Sequence, residues 1–263
     1  SFGELRTHAY AGNTIDTEAG RFGFLIEGYR RKNDGFKTID ETADFRDGDD
    51  TGFTNTDRMI KLSWEPDTDI YQRLEFKYGR NDLNANETYL GLSEADFKAD
   101  PLRRYAASRF DNIDTNQDNN YLRYAVSPTD NLDFITTLYS TEFKRNWYKL
   151  KDLRNVNGNT IGLSAALAGA QSGEGLDCLK GQLDCTLRVR ANNREYQAKG
   201  IETVGYYRFG SDAVQHEVSA GVRVHQDEVR RFQWDDDYTQ AVNGTISAMT
   251  PGVPGGAGDR FQQ

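Results

Sequence analysis

No run of 18 apolar residues occurs anywhere in the 263 residues, which excludes a helix that crosses a bilayer. Apolar residues make up only 37% of the chain and the mean hydropathy is -0.78, low for a soluble domain of this length. Basic residues are outnumbered 32 to 41, and the net charge of -9 argues against non-specific nucleic-acid binding. Histidine is scarce: His8, His216 and His225 are the only three. His216 and His225 fall on opposite faces of one alternating segment and His8 lies in another, so a shared metal or catalytic dyad is not expected. There is no glycine-rich phosphate loop, no nucleophile-elbow sequence and no metalloprotease motif. A barrel-embedded hydrolase would need a Ser–His pair that the sequence does not bring together. No catalytic residue, resident metal or cofactor is therefore expected.

Cysteine is almost absent as well. Cys178 and Cys185 are the only two, both inside one long irregular stretch without histidine. A small disulfide pinning a surface loop in an oxidising compartment is the preferred reading, against two free thiols or half of a metal site.

What the chain does have is alternation. In 71–79, Gln72, Leu74, Phe76 and Tyr78 interleave with Tyr71, Arg73, Glu75 and Lys77. In 214–225, Val214, Val218, Ala220, Val222 and Val224 interleave with Gln215, Glu217, Ser219, Arg223 and His225. Ile60, Leu62 and Trp64 behave likewise, while 21–31, 120–127, 132–145 and 194–209 are less regular. Together with 2–11, about eight strands are expected, several near the ~9–11 residues that cross a bilayer at a tilt. Charged faces such as Arg73, Glu75 and Lys77 suit a wet lumen, or the solvent side of an ordinary antiparallel sheet, better than a dry core.

Loop lengths separate these possibilities. Tight turns at Glu65-Pro66-Asp67-Thr68-Asp69, Ser127-Pro128-Thr129-Asp130-Asn131 and Gly210-Ser211-Asp212-Ala213 alternate with loops of roughly 31–56, 80–119 and 146–193. Short turns at one end and long loops at the other are routine in outer-membrane barrels, with the turns periplasmic and the loops extracellular. The expected fold is all-β: an antiparallel transmembrane β-barrel segment of about eight strands, with Trp64 and Tyr71 as girdle aromatics. Because Ser1 lies in strand-like sequence and Pro251–Gly258 reads as loop, both ends are expected to be cuts in a longer chain. The alternative is a non-transporting surface β-structured binding module or adhesin.

Two blocks carry a family resemblance. Phe22-Gly-Phe-Leu-Ile-Glu-Gly-Tyr29 with Arg30-Arg-Lys-Asn-Asp-Gly-Phe36 resembles an early barrel hairpin of TonB-dependent receptors. Asn86-Glu-Thr-Tyr-Leu-Gly-Leu-Ser-Glu-Ala-Asp-Phe97, continuing to Asp100-Pro-Leu-Arg-Arg-Tyr-Ala-Ala-Ser108, is similar to the ferric-citrate receptor subgroup. The resemblance implies an outer-membrane barrel closed by a plug, importing ferric chelates with energy from a TonB-type partner. On that basis residues 1–263 are expected to be part of the barrel, without its plug or its C-terminal strands.

The resemblance also directs attention to Arg103, Arg104, Tyr105 and Arg109 as ligand-binding residues. Arginine forks bind carboxylates of an anionic ferric dicitrate through charge-assisted hydrogen bonds, although the same residues could simply balance Asp96, Asp100 and Asp111. Asp114-Thr-Asn116-Gln-Asp118-Asn119 starts like a calcium loop but has Asn119 and Ala125 where glycine and glutamate are needed. Trp234-Asp-Asp-Asp-Tyr238 and Asp47-Gly-Asp-Asp50 read as hydrated loops. Gly162–Gly175 reads as a flexible loop with a helical turn at Ser164–Ala168.

Overall fold

The computed structural model describes residues 3–45, 51–169 and 173–254; Asp47–Asp50 and the end of Pro251–Gly258 lie outside them. Eight long strands dominate: β1 (Leu5–Thr17), β2 (Gly20–Asn33), β4 (Phe53–Glu65), β5 (Tyr71–Ala85), β7 (Asn112–Thr129), β8 (Leu132–Asn155), β10 (Cys185–Ser211) and β11 (Val214–Gln240). They pair antiparallel in the order β1-β2-β4-β5-β7-β8-β10-β11, and the short β12 (Ile246–Thr250) follows. With β9 (Thr160–Gly162) on β8, this makes one open ten-stranded sheet. A parallel pair, β3 (Thr38–Ile39) and β6 (Arg103–Arg104), sits apart and ties two loops together.

The alternating segments are thus strands, but the strands run much further than alternation suggests. β8 reaches Asn155 and β10 begins at Cys185, so the long connections shrink to 34–52, 86–111 and 156–184. Asp114–Asn119 and Trp234–Tyr238, expected as loops, are strand residues of β7 and β11. The reason is electrostatic pairing across strands. Asp235 meets Arg190 at 2.6 Å, Lys151 at 2.9 Å and Arg188 at 3.0 Å, so a polar run is carried by its neighbours instead of by a hydrophobic period. Pro128 sits where β7 and β8 slip register, between Val126 and Thr129, the irregularity that proline requires within a sheet.

Register aligns the apolar side chains. Phe24, Leu62, Phe76, Leu122, Leu138, Ile201 and Val224 are consecutive Cα partners on seven adjacent strands. Antiparallel partners share a face, so the seven form one row on one side of the sheet. Among the described residues nothing covers that row: Leu138 is 48% exposed and Val224 68%. Trp64 stacks on Phe22 at 6.0 Å, and its indole N–H donates to the carbonyl of Ala19 at the short-turn end.

The hydrophobic core lies elsewhere, at the long-loop end. Leu150, Leu153, Leu187 and Val189 from β8 and β10 are wholly buried with Tyr105, Leu179, Ile161 and Ala166 from the loops. Among the described residues the short helices α1 (Glu94–Ala99), α2 (Leu163–Leu167) and α3 (Glu174–Leu179) complete this cap. Ser93 caps α1 by accepting from the Asp96 amide, and Pro101 follows its end. A Cβ on Gly175 would come within 2.7 Å of Ala166 Cβ, so glycine lets α3 lie against α2. Cys178 and Cys185 are joined by a disulfide that ties α3 to the first residue of β10.

Because this core is confined to the loop end of the sheet, Leu187→Ala should cost about 2–5 kcal/mol locally. Hydrogen exchange should rise within 163–185 and stay unchanged along 71–79. Uniform loss of protection in both segments would show the cap and sheet to be one cooperative unit.

Candidate functional site

Arg103, Arg104, Tyr105 and Arg109 are brought together inside the cap, where Arg103 and Arg109 hold one loop to another and Arg104 and Tyr105 brace the 86–111 connection from within. Arg103 donates to Asp40 at 2.7 Å and Asp96 at 2.9 Å, with its guanidinium 5.3 Å from the Tyr105 ring centre. Arg104 is 4% exposed and donates to the Asn86 carbonyl, the Ser108 carbonyl and the Ser108 hydroxyl. Burial pushes its guanidinium pKa down, and the charge of Asp111 works against that. Tyr105 is buried, donating its hydroxyl to Asp96 and accepting from the Ser93 amide. Arg109 donates to Thr42, Asp44 and the Gly244 carbonyl, joining three separate loops. Asp96 is the hub: burial disfavours its charge, but hydrogen bonds from Tyr105, Lys180 and Ser93 hold its carboxyl well below the usual range.

A different set of cations is free of such partners. Arg145 on β8, Arg194 on β10 and Arg231 on β11 are Cα partners in a single cross-strand row, on the face opposite the bare apolar row. Like charges directly opposite one another destabilise a sheet, so a row of three needs a reason. Among the described residues none of the three forms an ion pair, and the Nε of each is buried without a hydrogen-bond partner. Among the described residues Arg194 donates to the Tyr196 hydroxyl and Arg231 to the Gln233 side chain, both at 3.1 Å. Lys149 lies four residues beyond Arg145 on the same face, its Nζ 3.9 Å from the ring centres of both Tyr89 and Trp147. The alternate residues on these strands, Lys144, Glu195 and Arg230, are themselves charged, so this level is already past the apolar row.

Electrostatics agrees with the geometry. Burial lowers the Arg145 pKa, and the charges of Arg194 and Arg231 lower it further. Burial and the neighbouring Arg145 likewise lower Lys149, which Asp111 partly restores. Arg145 and Lys149 are thus disfavoured by burial and neighbouring positive charge, which an anion with several carboxylates would relieve. With Trp147, Tyr89, Phe143 and Tyr196 alongside, the patch offers cations framed by rings. Sequence reasoning missed it because the three arginines lie in separate strands, and only the register puts them side by side.

Asp111 connects this patch to the cap. It is 1% exposed, accepts from the Leu150 amide at 2.7 Å and from the Thr88 hydroxyl, and burial pushes its pKa up to about 6. The histidines stay apart. His8 meets Glu27, His216 stacks on Phe209, and His225 bridges Asp227 and the Tyr139 hydroxyl at 2.6 Å each. A Cβ at Gly200 would come within 2.6 Å of that hydroxyl, so glycine makes room for the Tyr139–His225 pair. Among the described residues no histidine hydrogen-bonds a serine and no group of three His, Cys, Asp or Glu side chains could hold a metal.

The raised pKa of Asp111 carries a pH dependence. The folded cap binds this proton more tightly than an unfolded one, so the stabilisation is complete below the ordinary 3.8 and lost as pH rises through about 6. Opening of the Leu150 amide, corrected for intrinsic exchange, should cost on the order of 1 kcal/mol more at pH 5 than at pH 7.5. Asp111→Asn should flatten that difference; a slope that survives the substitution would assign it to another group.

No protein-family model matches the chain, and no curated protein matches it. Among solved structures it is similar to the ferric citrate transporter FecA in its unliganded form, with a TM-score of 0.59 and 17% identity. The match covers 99% of this chain and 30% of that one, so the chain spans under a third of that protein's length. At this identity the likeness speaks for the fold.

Proposed function

We propose that these residues form part of the barrel of an outer-membrane, TonB-dependent receptor that takes up a ferric chelate, ferric citrate or a similar anionic siderophore. The observation that carries the reading is the unpaired row Arg145, Arg194 and Arg231 with Lys149, facing away from the bare apolar row. In this reading the apolar face meets lipid, the opposite face lines the lumen, and the capped end is extracellular. Further support comes from the barrel-like sheet, the short turns gathered at one end, and the structural likeness to a ferric citrate transporter.

The mechanism follows from charge and position. A chelate bearing several carboxylates enters past the cap and exchanges water for guanidinium forks in the row. Its charge is matched there in a partly buried setting, where each ion contact counts for more than in bulk water. Tyr89 and Trp147 hold Lys149 against the same region. The loop residues shape the entrance in this reading, Arg103 and Arg109 by fixing loops to each other and Arg104 and Tyr105 by bracing the 86–111 connection. Closure of the lumen by a plug, and energy from a TonB-type partner, are supplied in this proposal by segments outside these 263 residues.

Binding of ferric dicitrate to the natural full-length protein in detergent, followed by tryptophan fluorescence, tests the proposal. Arg145→Ala and Arg194→Ala should each weaken binding about tenfold or more, the loss of one charge-assisted contact of about 1.5–3 kcal/mol. Arg103→Ala should instead loosen the cap, seen in hydrogen exchange at 93–105, with a smaller effect on affinity. Wild-type affinity in both row variants would remove the ligand from this site.

A further inference from the structure

The apolar face is not uniform. Across β7, β8, β10 and β11 it is hollowed into a groove of about 560 Å³ whose floor and walls are overwhelmingly apolar, with Leu122, Leu138, Ile201 and Val224 along one side. The next row toward the cap is Asn120, Ser140, Lys199 and Gln226, again consecutive Cα partners on the same face. Asn120 and Ser140 are short, and they leave the rim open where the long side chain of Lys199 stands.

We infer that this groove seats one acyl lipid bearing an anionic phosphate headgroup, its chain along Leu122, Leu138 and Ile201 and its phosphate on Lys199. The inference rests on the membrane-barrel reading, since it requires this face to meet lipid. Charge complementarity selects the headgroup. Lys199 is exposed and has no ion pair among the described residues. The carboxylates one row further on are already matched: Glu142 pairs with Lys144 at 3.1 Å and Glu228 with Arg230 at 2.6 Å. The cation therefore stands at the boundary where the apolar rows end and the charged rows begin. That is the depth at which a phosphate sits when acyl chains cover the rows below. A basic side chain in this position contributes about 1 kcal/mol toward an anionic lipid, or about fivefold in affinity.

The natural full-length protein, extracted in neutral detergent and supplied with phosphatidylglycerol, can be weighed by native mass spectrometry as wild type, Lys199→Ala and Lys144→Ala. One retained phosphatidylglycerol is expected, with occupancy about fivefold lower in Lys199→Ala and unchanged in Lys144→Ala. Diacylglycerol with the same chains should be retained poorly by all three. Leu138→Trp, which fills the groove and leaves the charge alone, should expel the lipid as well. Equal retention by wild type and Lys199→Ala, or equal loss in both lysine variants, would overturn the lipid site. Flotation with phospholipid vesicles keeps the two levels apart. Variants that float and retain lipid equally defeat the groove alone, whereas a wild-type protein that does not float defeats the membrane reading beneath it.

Discussion

Cross-strand register is the constraint on which everything else here depends. It places Phe24, Leu62, Phe76, Leu122, Leu138, Ile201 and Val224 in one row, which no described residue covers. Removing a fully exposed large apolar side chain from water is worth roughly 1.5–3 kcal/mol, and these seven are 39–68% exposed, so the row alone represents roughly 5–10 kcal/mol. A whole domain is stable by only about 5–15 kcal/mol, so water on this face would forfeit an amount comparable to the fold's margin. An apolar phase outside the protein is the simplest way to recover it, and the polar alternation on the other face then follows from the two-residue period of a strand.

The same register produces the cationic row. Arg145, Arg194 and Arg231 come from strands whose loops differ in length and composition, and they meet only because β8, β10 and β11 are aligned over more than twenty residues. In the cap, by contrast, Asp96 and Asp40 pair with Arg103, and Asp44 pairs with Arg109. The division of labour is clear in the charges. Arg103 and Arg109 spend their charge on carboxylates that hold the loops, whereas Arg145, Arg194 and Arg231 have no carboxylate partner among the described residues and lie on the polar face of the sheet.

Much of this architecture was legible in the sequence, and the parts that were not failed for identifiable reasons. The alternation of Leu74, Phe76 and Tyr78 with Arg73, Glu75 and Lys77 marks a strand because one face is apolar. Asp114–Asn119 and Trp234–Tyr238 carry no such period, being held by partners on neighbouring strands, and so read as loops. The helix beginning after Ser93 had a usable signal in its cap and in Pro101, which the surrounding polar residues obscured. Arg103 and Arg104 attracted attention because they are adjacent, yet adjacent residues on an extended segment point in opposite directions, and here they bind different loops. Arg145, Arg194 and Arg231 are tens of residues apart in the chain, and no reading of spacing would group them.

The central physical claim is that one face of the sheet meets lipid and the other meets water. Nitroxide labels placed singly along β8 and β11 of the natural full-length protein in outer-membrane vesicles test it directly. Labels at Phe134, Leu138, Val222 and Val224 should be relaxed by oxygen, and those at Ile135, Tyr139, Arg223 and His225 by a water-soluble nickel chelate, alternating residue by residue. Equal access of the nickel chelate to both sets would contradict the claim and leave a soluble sheet in place of a barrel wall.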